Sequence, residues 1–443
     1  MECRGGKGSW CLGGSFLVLA SGSSEEHKVS LCRKVFLFLI LFHLFGAKTV
    51  IADTVSSPSC SRTDVQFAIN SASTGDIVKV PAGTCEWTSK LVIDKAIILN
   101  GAGRGLSIII DGEQARGEGL LKIISPARIT GFTFKGKIGS TQDTRIIDVT
   151  GVFSDFRIDN CSFEDGYNAP TGNWSTSTAI YISQAYGLID NCIFEDAAHE
   201  VIQVAGRSNS WMTGSTLGTR NAVYVEDCTF SFSLPSGDTG AAHAIMAGAG
   251  GRYVFRYNNL THYNIDSHGY CGEALGGTRQ YEIYDNVSSV DSGVTQARWM
   301  YIRGGTGVIF DNIMVTTGTL NDQINLTEHR IDRESCLGGC CCSYPCKDQI
   351  GRGTDQTSDP LYLWNNKVDD NDAVIEVTDY LNPSSCEDAG QCNQIQDALD
   401  FIQSGRDYIL GQKIGYTAFD YPHPLTEDVP RPPYDLNVVP AQI

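Results

Sequence analysis

Ile158-Asp-Asn160-Cys-Ser-Phe163 returns 31 residues on as Ile189-Asp-Asn191-Cys-Ile-Phe194, and again as Val225-Glu-Asp227-Cys-Thr-Phe230. Upstream, Ile129-Thr-Gly131-Phe-Thr-Phe134 is the same phrase: an apolar strand end, a polar turn residue, and an apolar residue three positions later. Looser copies centre on Asn258, Asn286 and Asn312, with a displaced one on Asn366. From Gly131 the spacings are 29, 31, 36, 31, 28 and 26 residues, then 54 to the last copy. A near-regular period of roughly 20–50 residues marks a solenoid. Each unit holds short strands between Gly, Asn and Asp turns and has no helix-length periodic run, which selects a parallel β-helix over helical repeats.

Stacked coils lie about 4.8 Å apart, so like residues come to rest on like residues. Asparagine tolerates the left-handed backbone of a sharp turn, and stacked amides can hydrogen-bond along the ladder. Phe134, Phe163, Phe194 and Phe230 should form an internal aromatic column, and Cys161, Cys192 and Cys228 a second column of small buried thiols. Ahead of the repeat, Thr63 with Gln66 makes a capping-box pattern, and Val65, Ala68, Ile69 and Ala72 share one helical face up to Gly75-Asp76. Such a helix can plug the open end of a strand stack. Residues Asn393 to Leu410 also read as helical, with Ile395, Leu399 and Ile402 on one face, and the Pro-rich residues 423–440 as an extended tail. The expected fold is all-β: a right-handed parallel β-helix solenoid over 53–380, with an N-terminal capping helix, and a short C-terminal helix and tail over 381–443.

The 443 residues carry a net charge of −18, which argues against binding nucleic acid by phosphate neutralisation. An acidic chain can still hold an acidic glycan, through a local basic cluster or bridging cations. Sixteen cysteines point to an oxidising compartment. Arg33-Lys34 before the apolar run Val35 to Phe45, with Ala52 beyond it, is a signal-peptide pattern, and that run is short for a membrane span. Residues 1–52 are therefore read as a signal peptide with an upstream extension, translation starting near Val29 to Leu31, and the mature chain as secreted, without a membrane span and monomeric. The alternative is an uncleaved anchor. Expected disulfides are Cys60–Cys85 and Cys386–Cys392. Cys336, Cys340, Cys341, Cys342 and Cys346 crowd one loop, where disulfides, one reaching out to Cys271, are favoured over zinc. Gly101-Ala-Gly103-Arg-Gly105 precedes a strand rather than a helix and is not a nucleotide loop.

The repeat, together with the opening VQFAINSASTGDIVKVPAGTCEWTSKLVI (65–93), resembles the pectin-lyase-like superfamily of right-handed β-helices. The ending GYTAFDYPHPL (415–425) resembles the tail of a poorly characterised bacterial subset. The resemblance covers roughly residues 58–425. It implies the fold and an extracellular polysaccharide as the partner. The chain lacks the Asn-Thr-Asp strand of polygalacturonases, with only Ser267-His268-Gly269 similar to their Gly-His-Gly element. It also lacks the Trp-x-Asp-His and Arg-x-Pro-x-x-Arg segments of classical pectate lyases.

A substrate groove on such a fold runs along one strand face. The strands taken to build it are Ala179–Ser183, Val201–Ala205, Ala244–Gly248, Glu273–Gly277 and Trp299–Gly304, with His199, His243, His268 and Arg298 near the start of four successive coils as a basic or titratable stripe. The stretch 256–310 adds Arg256, Asp266, Arg279, Tyr301 and Arg303-Gly-Gly305, while Trp299, Tyr301 and Tyr270 could stack on sugars and Glu328-His329-Arg330 could fold over the same face. A lyase acting on a uronic acid must neutralise the carboxylate, take the C5 proton and protonate the leaving oxygen. Arg303 and Arg298 suit the first task, His268 the second and Tyr301 the third. His199, His243, Arg279, Trp299 and Arg330 are the expected substrate-binding residues. Asp165, Asp196 and Asp291, five residues after their turn Asn, are the candidate calcium ligands. The leading expectation is a polysaccharide lyase cleaving an acidic glycan. The rivals are a glycoside hydrolase, with Asp266, Glu273, Asp291 and Asp322 as candidate carboxylates, and a non-catalytic surface β-helix.

Overall fold

The computed structural model describes residues 52–112, 119–136, 145–166, 178–233, 242–269, 275–328, 344–379 and 398–427. Among the described residues, three sheets of twelve, eleven and ten strands are visited in rotation, each strand pairing in parallel with its counterpart one coil away except Asn371–Asp372, which closes the eleven-strand sheet antiparallel to Lys367–Val368. This is a right-handed parallel β-helix, the hand that parallel crossovers take almost without exception. The signal-peptide segment, Tyr270, Cys271, Glu273, His329, Arg330, Cys386, Cys392 and the crowded cysteines 336–342 lie outside the described residues. Cys346, the last of that group, is disulfide-bonded. Among the described residues no helix is long and apolar enough to cross a membrane.

The helix Arg62–Ser71 buries Val65, Ala68 and Ile69 against the first coil. Its N-cap is Ser61, whose hydroxyl accepts from Asp64 N, so the reciprocal Thr63–Gln66 box does not form. Gln66 instead pairs with both backbone groups of Val92, at 2.9 and 3.0 Å, and satisfies polar groups at the exposed start of the ten-strand sheet. The Cys60–Cys85 disulfide ties the helix entry to the first coil.

Inside, the expected columns are present. The rings of Phe134, Phe163, Phe194 and Phe230 stack with successive centroid separations of 5.3, 4.9 and 4.7 Å. Cys161, Cys192 and Cys228 are free and buried, and burial pushes the Cys161 and Cys192 thiols well up. The later copies are displaced by one residue from the reading above. The left-handed turn residue in those coils is Tyr257, Asp285, Asp311 or Asn365, at φ 56, 54, 55 and 53°. Asn258, Asn286, Asn312 and Asn366 follow these turns and continue the cysteine column inward. There each amide nitrogen donates to the next side-chain oxygen, at 3.0, 2.9 and 2.8 Å. Cys228 N donates to Asn258 Oδ1 at 3.0 Å, which joins the two columns.

At the C-terminal end the helix read from Asn393 to Leu410 does not reach its expected end, and residues 393–397 lie outside the described residues. Ala398–Phe401 is helical, whereas Tyr408–Leu410 is a strand that pairs with Leu361–Leu363 as the last of the twelve-strand sheet. A strand there satisfies the backbone of the preceding coil, which a helix cannot do. Residues 411–427 then run back across the outer face of that sheet. Arg256 donates to Phe419 O and Asp420 O, both at 2.7 Å, and Arg157 donates to Leu425 O at 2.9 Å. Both arginines are anchored on carboxylates, Glu226 and Asp190. Tyr416 donates to Glu282 at 2.6 Å. Glu282 is enclosed by this strap, and burial lifts its pKa from 4.5 to about 7.

Two outcomes follow. Asn286→Ala removes the acceptor that Asn258 N and Nδ2 share and one donor to Asn312 Oδ1, so the urea midpoint should fall by the equivalent of about 2–3 kcal/mol, and by less in Asn366→Ala at the end of the ladder. Glu282 binds a proton more tightly folded than unfolded, so it costs stability as pH rises from 4.5 to about 7. Glu282→Gln should therefore melt higher than the wild type at pH 8, and the gap should shrink towards pH 5.

Candidate active site

Side chains alternate across the ten-strand sheet, so residues flanked by buried core residues point out. On Thr295–Ile302, Met300 and Ile302 enter the core and Tyr301 faces outward. On the preceding strand, Asn264–Ser267, Ile265 enters the core and Asp266 pairs laterally with Tyr301. This strand takes the place assigned above to 273–277. Residues 275–279 instead lead into Gln280–Tyr284 of the twelve-strand sheet. His268 therefore sits just past a strand end rather than at a strand start, one position beyond Ser267. Arg303, one position beyond Ile302, donates its backbone N–H to Ser267 O at 2.8 Å.

The centre of the site is Asp266, which is fully buried. Arg303 grips it through Nε at 3.1 Å and through a terminal nitrogen, and His243 Nε2 lies 3.7 Å from Oδ2. Burial alone would raise the Asp266 pKa, but Arg303, His243 and His268 outweigh it and hold the carboxyl below its ordinary range. His243 Nδ1 is hydrogen-bonded to Asn264 Oδ1, and its ring meets that of His199 edge to face at 5.6 Å. Burial depresses both imidazoles, His199 to about 4 with help from the charge of His243. The expected titratable stripe is therefore broken: His199 and His243 pack edge to face at one side, and His268 lies at the other end of the strand column.

Tyr301 is flanked by Arg298 and Arg303, with guanidinium carbons 4.2 and 4.5 Å from the ring centroid. Arg298, the more open of the two, lies 3.3 Å from Asp322 on the next strand. Asn325 Nδ2 holds Asp322 Oδ2 at 3.0 Å, and Asn325 is itself fixed by the Thr327 and Thr378 hydroxyls. Glu376, beside Asn325 in register, has its pKa raised by burial and by the neighbouring Asp322 carboxyl. His268 Nδ1 is 2.8 Å from Gly269 O. A carbonyl only accepts, so Nδ1 carries a proton.

The structure thus brings His268, Arg298, Tyr301 and Arg303 onto two adjacent coils, with His243 and His199 beside them. It does not bring Arg279 or Trp299. Trp299 is wholly in the core, donating to Ser288 Oγ at 2.9 Å, and has no face for a sugar. Arg279 is fully buried at the corner leading to the twelve-strand sheet, 5.3 Å from the Trp211 ring. Burial and Arg252 lower its pKa to about 10. The three candidate calcium ligands are not gathered either. Asp165 and Asp196 stack, but the following coils place Phe232 and His262 at that position. Asp165 faces Lys135 at 3.6 Å, Asp196 accepts from Ser233 N at 2.6 Å, and Asp291 lies 3.4 Å from His262. Among the described residues no group of three or more His, Cys, Asp or Glu side chains is placed to hold a metal ion. Sequence reasoning weighed Asp266 and Asp322 only as hydrolase carboxylates and missed Asn264, Asn325 and Glu376. Their signal was the alternation itself, as in Asn264-Ile-Asp266 and Ile375-Glu-Val377.

No family model and no curated protein matches the chain. Among solved structures it is similar to an alginate lyase from Paenibacillus sp. str. FPU-7, with 12% identity, 83% of this chain and 97% of that chain covered, and a TM-score of 0.41. A PL6 family polysaccharide lyase from Pseudopedobacter saltans gives 13%, 81%, 91% and 0.41. The catalytic domain of a GH87 alpha-1,3-glucanase in complex with nigerose gives 11%, 85%, 70% and 0.25. The reading of the site rests on its own residues.

Removing Asp266 leaves Arg303 buried without its partner, and breaking one side of such a pair costs about 3–5 kcal/mol. Asp266→Ala should lower the melting temperature sharply. In the Asp266→Ala/Arg303→Ala double variant the loss should be well below the sum of the single losses, as read by a double-mutant cycle.

Proposed function

We propose that the protein is a secreted, monomeric carbohydrate-active enzyme that cleaves a uronic-acid glycan by β-elimination on the outer face of the ten-strand sheet. The observation that carries this reading is Tyr301 flanked by two guanidiniums, with His268 on the neighbouring coil. The substrate carboxylate draws Arg298 away from the ring and is held by Arg298 and Arg303, which disperse the charge of the enolate as it develops. His268 Nε2 takes the C5 proton. The electron pair forms the C4–C5 double bond, the C4–O bond breaks, and Tyr301 protonates the departing oxygen. Asp266 fixes the orientation of Arg303 and does not itself react. Calcium belongs to the proposal only as a bridge between a polyanion and a chain of net charge −18.

A second reading has one specific observation in its favour. Glu376 has its pKa raised by burial and by Asp322 nearby, as suits the general acid of a glycoside hydrolase.

The test is ultraviolet absorbance of unsaturated product from a panel of uronic-acid polysaccharides, with added calcium and with chelator. Absorbance should rise for at least one uronide. It should fall about 10²–10⁴-fold in His268→Ala, the span of one positioned base, and vanish in Arg303→Ala, while chelator should raise KM and spare kcat. New reducing ends without absorbance, lost in Glu376→Gln, would establish the hydrolase instead.

A further inference from the structure

Tyr181 and Tyr301 stand in one outward column of the ten-strand sheet, which runs Tyr181, Gln203, Met246, Asp266, Tyr301 in register. Tyr181 lies between the buried Ile180 and Ile182, so its ring projects from the same face as the site, and it is partly exposed. Arg145, on the preceding strand, places its guanidinium 3.6 Å from the Tyr181 ring centroid. Arg145 also lies 3.7 Å from Asp148, as Arg298 lies 3.3 Å from Asp322. An arginine over a tyrosine, with a carboxylate beside the arginine, thus occurs twice in this column. The two are four strand steps apart, or about 19 Å at ~4.8 Å per step. Between them the column carries Gln203, Met246 and the buried Asp266, whose charge is paired with Arg303. Arg145 is 28% exposed on this face, so the arginine–tyrosine pair lies at the surface.

We propose that Arg145 and Tyr181 form a distal subsite that binds a second uronate of the same glycan strand. This rests on the functional reading above and adds the substrate class: a polyuronide several sugars long, laid along the helix axis and cut internally. A guanidinium takes a carboxylate through two donors, and the free face of the tyrosine ring offers a stacking surface for the sugar. The position of the reacting residues agrees. Among the described residues, two strands of this sheet follow Thr295–Ile302 towards the C-terminal end and seven precede it, so most of the groove lies on the Tyr181 side.

The experiment is calorimetric titration of a length series of oligouronides into the full chain carrying His268→Ala, which holds substrate without turning it over. Affinity should rise with length until the oligomer spans both arginine–tyrosine pairs, then level off. Tyr181→Ala should weaken the long oligomers about tenfold, the scale of one ring-stacking contact, and leave the short ones unchanged. Tyr181→Phe should restore the affinity, and Arg145→Gln should repeat the loss, with melting curves confirming that each variant is folded. If short oligomers bind and long ones bind no better, or if Tyr181→Ala changes all lengths equally, the distal subsite is overturned and the functional reading stands. If no oligouronide of any length binds, both fall.

Discussion

Backbone hydrogen bonds running along the axis, coil to coil, fix where every side chain of this protein can be. Each strand is held in register by the strand one turn away, so an insertion must leave the coil as a loop or shift every residue of one face. The 54-residue gap between Asn312 and Asn366 shows this at work, since Asn366 still accepts from Asn312 in the same ladder and donates to Ile309 O. The interior follows from that constraint. A column of phenylalanines and a column of cysteines pass into leucine and asparagine without a change of position. The asparagine ladder turns buried polar groups into a continuous chain of satisfied bonds, so the inner turn stays closed where the apolar column ends.

The same constraint builds the site. Asp266, Tyr301, Asn325 and Glu376 come from four successive strands and lie side by side only because the strands are in register. Asp266 is the pivot. A fully buried carboxylate needs a cation, and Arg303 supplies it in a two-point grip, so the guanidinium is oriented before any ligand arrives. That orientation lets Arg303 lie over Tyr301, with Arg298 completing the arrangement from the same strand. On the outer face of the twelve-strand sheet the strap 411–427 is held by the same device: arginines anchored on buried carboxylates, donating into backbone carbonyls.

The fold was legible because a repeated turn is a local signal. Asn160, Asn191 and Asp227 show their left-handed backbone in the residue type, and the aromatic three positions on shows the inward face. The one-residue slip at Asn258, Asn286 and Asn312 arose because asparagine serves two purposes in this chain, as turn residue in the early coils and as inward ladder amide in the later ones. Sequence order alone does not separate them. The strand 264–267 was passed over because its face carries Asn264 and Asp266, polar residues buried only by what neighbouring coils lay upon them. Trp299 and Arg279 were misread for the same reason: composition gives chemistry, but the direction of a side chain depends on strand phase. Residues 408–410 read as helix by spacing and became strand because the coil beneath supplied the hydrogen bonds.

The central claim is that this face cuts its glycan by elimination, and the most direct measurement is cleavage of the preferred polyuronide in water enriched in heavy oxygen, followed by mass analysis of the ends. Elimination adds no water, so the products should be unsaturated and carry no label. One heavy oxygen incorporated at each new reducing end would contradict the account and assign the chemistry to the Asp322–Glu376 pair.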